Sequence, residues 1–396
     1  MRAVPRLIIA FALAACAEQA PAPTATAPPP APPPAPVAFD QAVLNAGNAV
    51  LTQASAAAGQ RTVVIDPLVN GVTGEQSAST RALGSRLAAL ARERYPLMNV
   101  QPFTAAAVAE APLVMVGTFT PVNAQNQPAG AREAYRFCLV VADLKTGKTV
   151  AKSVARALPA GIDPTPTKVF ADSPAWTDDP AVKGYVSTCQ ATKVGDPIPA
   201  IYLNGIIAAA MLNQAMEAYD AGRYAEALQL YGSARSTPAG GQLRTYNGLY
   251  LTRVKLGDRA GAEAAFGELT DYSLRNNRLA LKLLFRPGST AFVAGPQGSG
   301  TYDMWLREVA THGARLGTCL QATGHTSPSG SAAMNEQLSV LRAEYVKTRL
   351  EQDAPSLRGK VVAAGRGGAE PMIGTGADDA TDALDRRVEF KVIPAC

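Results

Sequence analysis

The stretch from Ala17 to Val37 sets the terms for the whole chain. It holds nine prolines and seven alanines in 21 residues, including Pro28-Pro29-Pro30 and Pro32-Pro33-Pro34. Each proline fixes φ and removes a backbone donor, so neither a helix nor a sheet ladder can run through it. Polyproline II is the one regular conformation left, and at ~3.1 Å per residue it spans up to about 65 Å. Folding therefore begins at about residue 38, and residues 16–37 read as a spacer. The rest of the chain has material for two to four domains, since the protein has 396 residues and is 47% hydrophobic. With 37 Lys+Arg against 32 Asp+Glu the net charge is +5, and loss of Arg2 and Arg6 with a cleaved leader would lower it by two. That balance is too weak to imply a nucleic acid partner, and none is expected. Two histidines, His312 and His325, exclude a His-rich metal site. No apolar run reaches the ~18 residues of a membrane span.

Before the spacer, Arg2 and Arg6 precede the short apolar stretch Leu7-Ile8-Ile9-Ala10-Phe11-Ala12-Leu13. This is the pattern of an export signal over residues 1–15. It ends in Leu13-Ala14-Ala15-Cys16, which resembles a bacterial lipobox. The resemblance implies lipidation of Cys16, which becomes the first mature residue. Ala17, rather than Asp, comes next and implies sorting to the outer membrane, facing the periplasm. The acyl chains make outer-membrane lipid a partner, each buried methylene adding about 0.8 kcal/mol.

Residues 38–200 read as a first α/β domain. Thr62-Val63-Val64-Ile65 is a buried-strand pattern, and Ser77 to Tyr95 places Leu83, Leu87, Leu90 and Ala91 at helical spacing. Val100 to Phe103 reads as a strand, Ala105 to Ala109 as a short helix and Leu113 to Phe119 as a third strand. Tyr135 to Ala142 and Thr149 to Ala157 form a hairpin. The order predicts a mixed sheet with helices packed on it. It resembles the amino-terminal domains of TolB and of the curli and penicillin-binding-protein-activator lipoproteins in pattern order alone. Within the hairpin, Ala142 to Thr149 matches a relaxed phosphate-loop pattern. A true phosphate loop joins a strand to a helix, whereas Val150 to Ala155 alternates like a strand. Leu144 to Lys148 is therefore a turn, with Gly147 at the left-handed position. Asp178 and Asp179, like Asp378 and Asp379, sit near Pro or Gly and read as solvated loop charges.

Residues 204–278 are helical and repetitive. Gly222 and Gly257, Ala227 and Ala262, and Tyr231 and Phe266 are each 35 apart. Ala215 to Leu228 resembles a tetratricopeptide repeat, in which small residues let two helices cross closely. Two repeats need a neighbour to cover their ends, and a capping helix is expected near Tyr272 to Leu281. The repeat is the expected surface for an envelope protein partner.

Residues 279–396 read as a strand running into a loop over Leu283 to Ser289, then an amphipathic helix at Tyr302 to Leu316. Beyond it stand Thr323-Gly324-His325-Thr326-Ser327-Pro328-Ser329-Gly330-Ser331, Asn335, Leu338-Ser339-Val340-Leu341-Arg342-Ala343 and Asp385-Arg386-Arg387-Val388-Glu389-Phe390. In this order and spacing these motifs resemble an OmpA-type peptidoglycan-binding domain, a β/α sandwich. The resemblance implies binding of the peptidoglycan stem peptide, with a loop Asp and a helix Arg gripping its charged groups. The helix Arg corresponds to Arg342. Fifteen residues earlier stands Ser327 in place of the Asp. A hydrogen bond to a charged group contributes about 1.5–3 kcal/mol and a neutral one about 1, so the exchange is expected to weaken binding by roughly tenfold or more. Thr326 and Asn335 match the family's polar positions, and Arg386 and Arg387 its closing motif.

After lipidation of Cys16, Cys138, Cys189, Cys319 and Cys396 remain. Outside the cytoplasm four cysteines imply two disulfides, with three pairings open. Their distribution between domains favours Cys138 with Cys189 and Cys319 with Cys396. No Gly-x-Ser-x-Gly elbow occurs and no cysteine has a histidine partner, so no catalytic residue, cofactor or metal is expected. The expectation is a noncatalytic multidomain protein, α/β and α+β. It comprises a mixed-sheet domain, a short helical repeat and an OmpA-like β/α sandwich. It would tie the outer membrane to peptidoglycan. The alternative is a regulatory scaffold for an envelope complex or peptidoglycan synthase, with wall binding altered or lost.

Overall fold

A computed structural model describes residues 33–58, 61–110, 112–128, 132–293, 300–372 and 385–396. The export signal, Cys16, Asp378 and Asp379 lie outside the described residues, as does most of the proline-rich stretch. No helix among the described residues is long and apolar enough to cross a membrane. Residues 34–396 form one compact unit.

The unit opens on helix α1 (Phe39–Ala58), which the sequence reading passed over. Its buried face, Ala42, Val43, Ala46, Val50, Leu51 and Ala54, is half alanine and gives a weak apolar stripe. Next come β1 (Arg61–Ile65), α2 (Ala78–Arg94), β2 (Met98–Gln101), α3 (Ala105–Ala109), β3 (Leu113–Val122), β4 (Ala134–Asp143) and β5 (Lys148–Ala157). Ser77 and Thr80 cap α2 reciprocally, which fixes where that helix starts. The strands form one sheet in the order β2-β1-β3-β4-β5. β1 runs parallel to β2 and β3, while β3, β4 and β5 are antiparallel. Alternation sorts the strand residues between two cores. Val63, Met115, Phe137 and Leu139 pack under α1 and α2. Val64, Val114, Val116 and Val140 face the opposite layer. The β4–β5 turn has Gly147 at φ +66°, so the phosphate-loop look-alike is a hairpin.

α4 (Lys168–Asp172), α5 (Pro180–Gln190) and α6 (Ala200–Asp220) come next. α5 and α6 bring Tyr185, Cys189, Tyr202 and Ile206 onto the second face of the sheet. Asp179 is a correction to the sequence reading, since it is buried rather than solvated. Its carboxylate caps α5 at Val182 N and also accepts Leu243 N at 2.6 Å. Pro180 at the first helical position is what the neighbouring proline meant. Cys138 in β4 and Cys189 in α5 form a disulfide.

α6 continues into α7 (Tyr224–Arg235), α8 (Leu243–Lys255) and α9 (Arg259–Arg275). Gly222 and Gly257 end α6 and α8 with φ of +77° and +76°, a conformation that favours glycine. Ala227, Ala262, Tyr231 and Phe266 are all buried. No capping helix occurs near Tyr272 to Leu281. α9 stops at Arg275, Asn277 takes φ +63°, and the chain turns into β6 (Arg278–Leu281). The end of this helical segment is covered instead by α10 (Thr301–Leu316). Its Trp305 stacks on Phe266 at 5.5 Å and donates Nε1–H to the Tyr250 hydroxyl at 2.9 Å.

The last region adds β7 (Cys319–Gly324), α11 (Ala332–Asp353), β8 (Val361–Gly365) and β9 (Val388–Ile393). With β6 they form a second mixed sheet, in the order β6-β9-β7-β8. β7 is parallel to β8 and antiparallel to β9. The strand half of Leu283 to Ser289 is a correction, because β6 ends at Leu281, whereas the expected loop follows at Pro287-Gly288. Leu283 and Phe285 are buried in alternation, which is why the pattern reads as β. Pro287-Gly288 turns the segment back, so Arg286 N pairs with Ala291 O at 2.9 Å instead of a ladder. Cys319, at the start of β7, is bonded to Cys396. One hydrophobic core runs from Phe170 in α4 through Leu212, Tyr250 and Phe266 to Trp305 and Phe390.

Candidate functional site

β7 ends at Gly324, and its close approach to α11 sets the geometry there. A Cβ on Gly324 would lie 2.0 Å from Ser339 O, and one on Gly365 would lie 2.4 Å from Ser339 Oγ. Glycine at both strand ends lets α11 lie directly on the carboxyl ends of the parallel pair β7–β8. Ser339, wholly buried, donates to Glu336 O at 2.7 Å and accepts from Gly367 N at 2.9 Å. That bond holds the β8 loop against the β7 loop, where Thr326 N donates to Gly367 O at 2.9 Å.

The β7–α11 loop is tied down from within. Ser331 caps α11 by accepting Met334 N at 3.2 Å. Asn335 Nδ2 donates to Ser327 O at 3.3 Å and to Ser329 O at 2.8 Å. The hydroxyls of Ser327 and Ser329 pair at 3.0 Å. Asn335 thus organises the loop on which Ser327 stands.

Arg342 projects from α11 beneath this loop and is fully buried. It donates Nε to Ser289 O at 3.0 Å, Nη1 to His325 O at 3.1 Å and Nη2 to Arg286 O at 3.2 Å. Its guanidinium lies 5.0 Å from the Phe285 ring centroid. One cation therefore fastens two loops through their carbonyls and brings its charge to the floor of a cavity. Arg386 lies beside it, with Nε donating to Phe285 O at 3.3 Å.

The cavity has a volume of about 500 Å³ and brings Thr326, Ser327, Asn335, Arg342 and Arg386 together. Arg387 is outside its lining; it pairs with Glu389 at 2.9 Å and reaches Glu370 O. Among the described residues no carboxylate lines the cavity, and the guanidinium groups of Arg342 and Arg386 both do. Thr326 is 2% exposed and its Oγ1 has no hydrogen-bond partner among the described residues. A buried hydroxyl in that state costs free energy until a ligand meets it. Met334, Leu338 and Leu341 form one apolar wall, with Met334 71% exposed. Sequence reasoning missed this wall, although its 4- and 3-residue spacing along α11 was the signal. It also missed Ser339, whose place inside the Leu338–Ala343 motif carries no signal of its contact with the strand ends.

No family model and no curated protein matches the chain. Solved structures do. The chain is similar to the cell wall anchor of the type VI secretion system from Pseudomonas aeruginosa, at 25% identity and a TM-score of 0.25, over 30% of this chain and 82% of that one. It is similar to an outer membrane protein from Borrelia burgdorferi, at 19% identity and a TM-score of 0.23, over 29% of this chain and 88% of that one. It is similar to the OmpA-like domain of FopA1 from Francisella tularensis, at 17% identity and a TM-score of 0.23, over 30% of this chain and 77% of that one.

Proposed function

We propose that this chain is a noncatalytic, lipid-anchored periplasmic protein that links the outer membrane to peptidoglycan. The observation that carries the reading is the cavity beneath the β7–α11 loop. Its paired guanidiniums, neutral polar rim and partnerless Thr326 hydroxyl suit a carboxylate of the wall's stem peptide. Ser327 supplies a neutral contact where the resembling family has an anion, so an ammonium on the ligand gains little here. The other end is held by acyl chains on Cys16, a reading supported by the Leu13-Ala14-Ala15-Cys16 box after a short apolar run. The tetratricopeptide-like helices and the TolB-like domain stand between as interaction surfaces.

Two separable assays test this. Cys16→Ala should move the protein from the outer-membrane fraction to the soluble periplasm. Residues 34–396 should sediment with purified sacculi. Retention of Cys16→Ala in the membrane at wild-type levels would refute the anchor, and failure to sediment would refute the wall link. A second reading, a scaffold for an envelope complex, is favoured by Ile201 and Ile207 on α6, which stay 47% and 46% exposed. Crosslinking in intact envelopes identifies the partner that reading requires.

A further inference from the structure

Asp66 directly follows β1, at the carboxyl end of the parallel strands and on the side of the sheet that carries α5 and α6. In an open α/β sheet such a crevice, where successive connections leave on opposite faces, is where ligands bind. Asp66 is only 4% exposed, and its Oδ2 accepts the Tyr202 hydroxyl at 2.8 Å. Its other oxygen has no partner among the described residues. Beside it lies a cavity of about 160 Å³, closed on the far side by the α7–α8 connection and by Arg244 of α8. Arg244 donates Nη2 to Gly74 O at 3.1 Å, while its buried Nε has no hydrogen-bond partner among the described residues. The two charges are not within ion-pair distance, yet each acts electrostatically on the other. A buried carboxylate and a guanidinium therefore face one small cavity without touching. Tyr185 and Tyr202, packed edge to face at 5.6 Å, complete one wall.

We propose that this cavity is a binding site for a small free α-amino acid, whose ammonium meets Asp66 and whose carboxylate meets Arg244. Nothing in the wall-binding reading requires it, and it uses none of the same residues. Its volume suits glycine, alanine or serine, since it holds about five waters at roughly 30 Å³ each. An occupant joins the N-terminal sheet to the helical repeat. Burial pushes the Asp66 carboxyl up to about 7, against the Tyr202 hydrogen bond and the Arg244 charge. A bound ammonium would offset that desolvation.

The test is calorimetric titration and thermal melting of residues 34–396 with glycine, L-alanine and D-alanine, and with lactate and ethylamine as half-ligands. At least one amino acid should bind saturably and raise Tm, and each half-ligand should bind at least tenfold more weakly. Asp66→Asn and Arg244→Met should each weaken binding tenfold or more. Ala209→Leu, which fills the cavity while keeping both charges, should abolish it and covers the case in which a charge variant misfolds. No saturable signal with any of the three amino acids would overturn the proposal, as would lactate binding as tightly as alanine.

Discussion

Lys282 and Glu75 form a buried ion pair that joins segments 207 residues apart. Lys282 Nζ lies 2.9 Å from Glu75 Oε1 and 2.8 Å from Phe170 O, and sits 4.4 Å from the Trp176 ring centroid. The side chains are 7% and 6% exposed, so water cannot replace either partner. Lys282→Met keeps an unbranched apolar stem, removes the ammonium and leaves Glu75 without its buried cation. Breaking such a pair costs about 3–5 kcal/mol. Glu75 has one escape, to take up a proton. From an ordinary carboxyl value of about 4.5, protonation at pH 7 costs roughly 2.5 × 1.36, or about 3.4 kcal/mol. That caps the electrostatic part of the loss at neutral pH. At pH 5 the same step costs about 0.7 kcal/mol. Burial already holds the Glu75 carboxyl above its usual range, against the charge and hydrogen bond of Lys282, and removing the lysine raises it further. The sign follows from linkage: the variant's stability is intact below the unfolded value and falls as pH rises through the folded one. Guanidinium unfolding, followed by tryptophan fluorescence and circular dichroism, should give a loss of about 3–4 kcal/mol at pH 7, shrinking to about 1–2 at pH 5. Glu75→Gln combined with Lys282→Met should recover most of it. A loss below about 1 kcal/mol at pH 7, or one that does not change with pH, would refute this account of the pair.

Asp66 gives a second pH signature. The folded chain holds its proton up to about 7, whereas the ordinary value is 3.8. Stability should therefore decline between about pH 4 and pH 7 by on the order of 4 kcal/mol from this group alone, and Asp66→Asn should flatten that slope in urea titrations. Trp305→Ala removes a fully buried ring from its stack on Phe266 and should cost about 3–5 kcal/mol by chemical denaturation. Cys319→Ser opens a disulfide spanning 77 residues and should cost about 4 kcal/mol under oxidising conditions, with no difference from wild type in reductant.

The strands of the first sheet were legible because Val63-Val64-Ile65 and Leu113 to Phe119 are apolar and β-branched runs with few competing readings. The ends of α6 and α8 were legible because Gly222 and Gly257 do the same backbone job 35 residues apart. α1 was hidden by an alanine-rich face whose burial depends on the sheet beneath it. The strand half of Leu283 to Ser289 misled because alternation reports burial, while ladder formation depends on a partner strand that the Pro287-Gly288 loop turns away. At the candidate wall site the polar residues were legible as motifs, and the second task of Arg342, fastening two loops, was not. It depends on carbonyls of Arg286 and Ser289, more than fifty positions away. Asp179 and Asp66 were illegible for a related reason. Their meaning comes from Leu243, Tyr202 and Arg244, which only the folded chain brings close.

Arg342→Ala is a poor probe of the wall site, because it would free both loops along with the charge. Thr326→Val is cleaner. The hydroxyl it removes has no partner among the described residues, so the fold should keep or slightly raise its Tm. The decisive measurement is a calorimetric titration of residues 34–396 with purified stem peptide, comparing wild type, Thr326→Val and Ser327→Asp. Wild type should bind, and Thr326→Val should bind about 5- to 10-fold more weakly at unchanged Tm, the loss of one hydrogen bond of about 1 kcal/mol or slightly more. Ser327→Asp should bind about 5- to 30-fold more tightly, a gain of about 1–2 kcal/mol. Absence of binding by both wild type and Ser327→Asp, or equal binding by wild type and Thr326→Val, would contradict the assignment of this cavity to the cell wall.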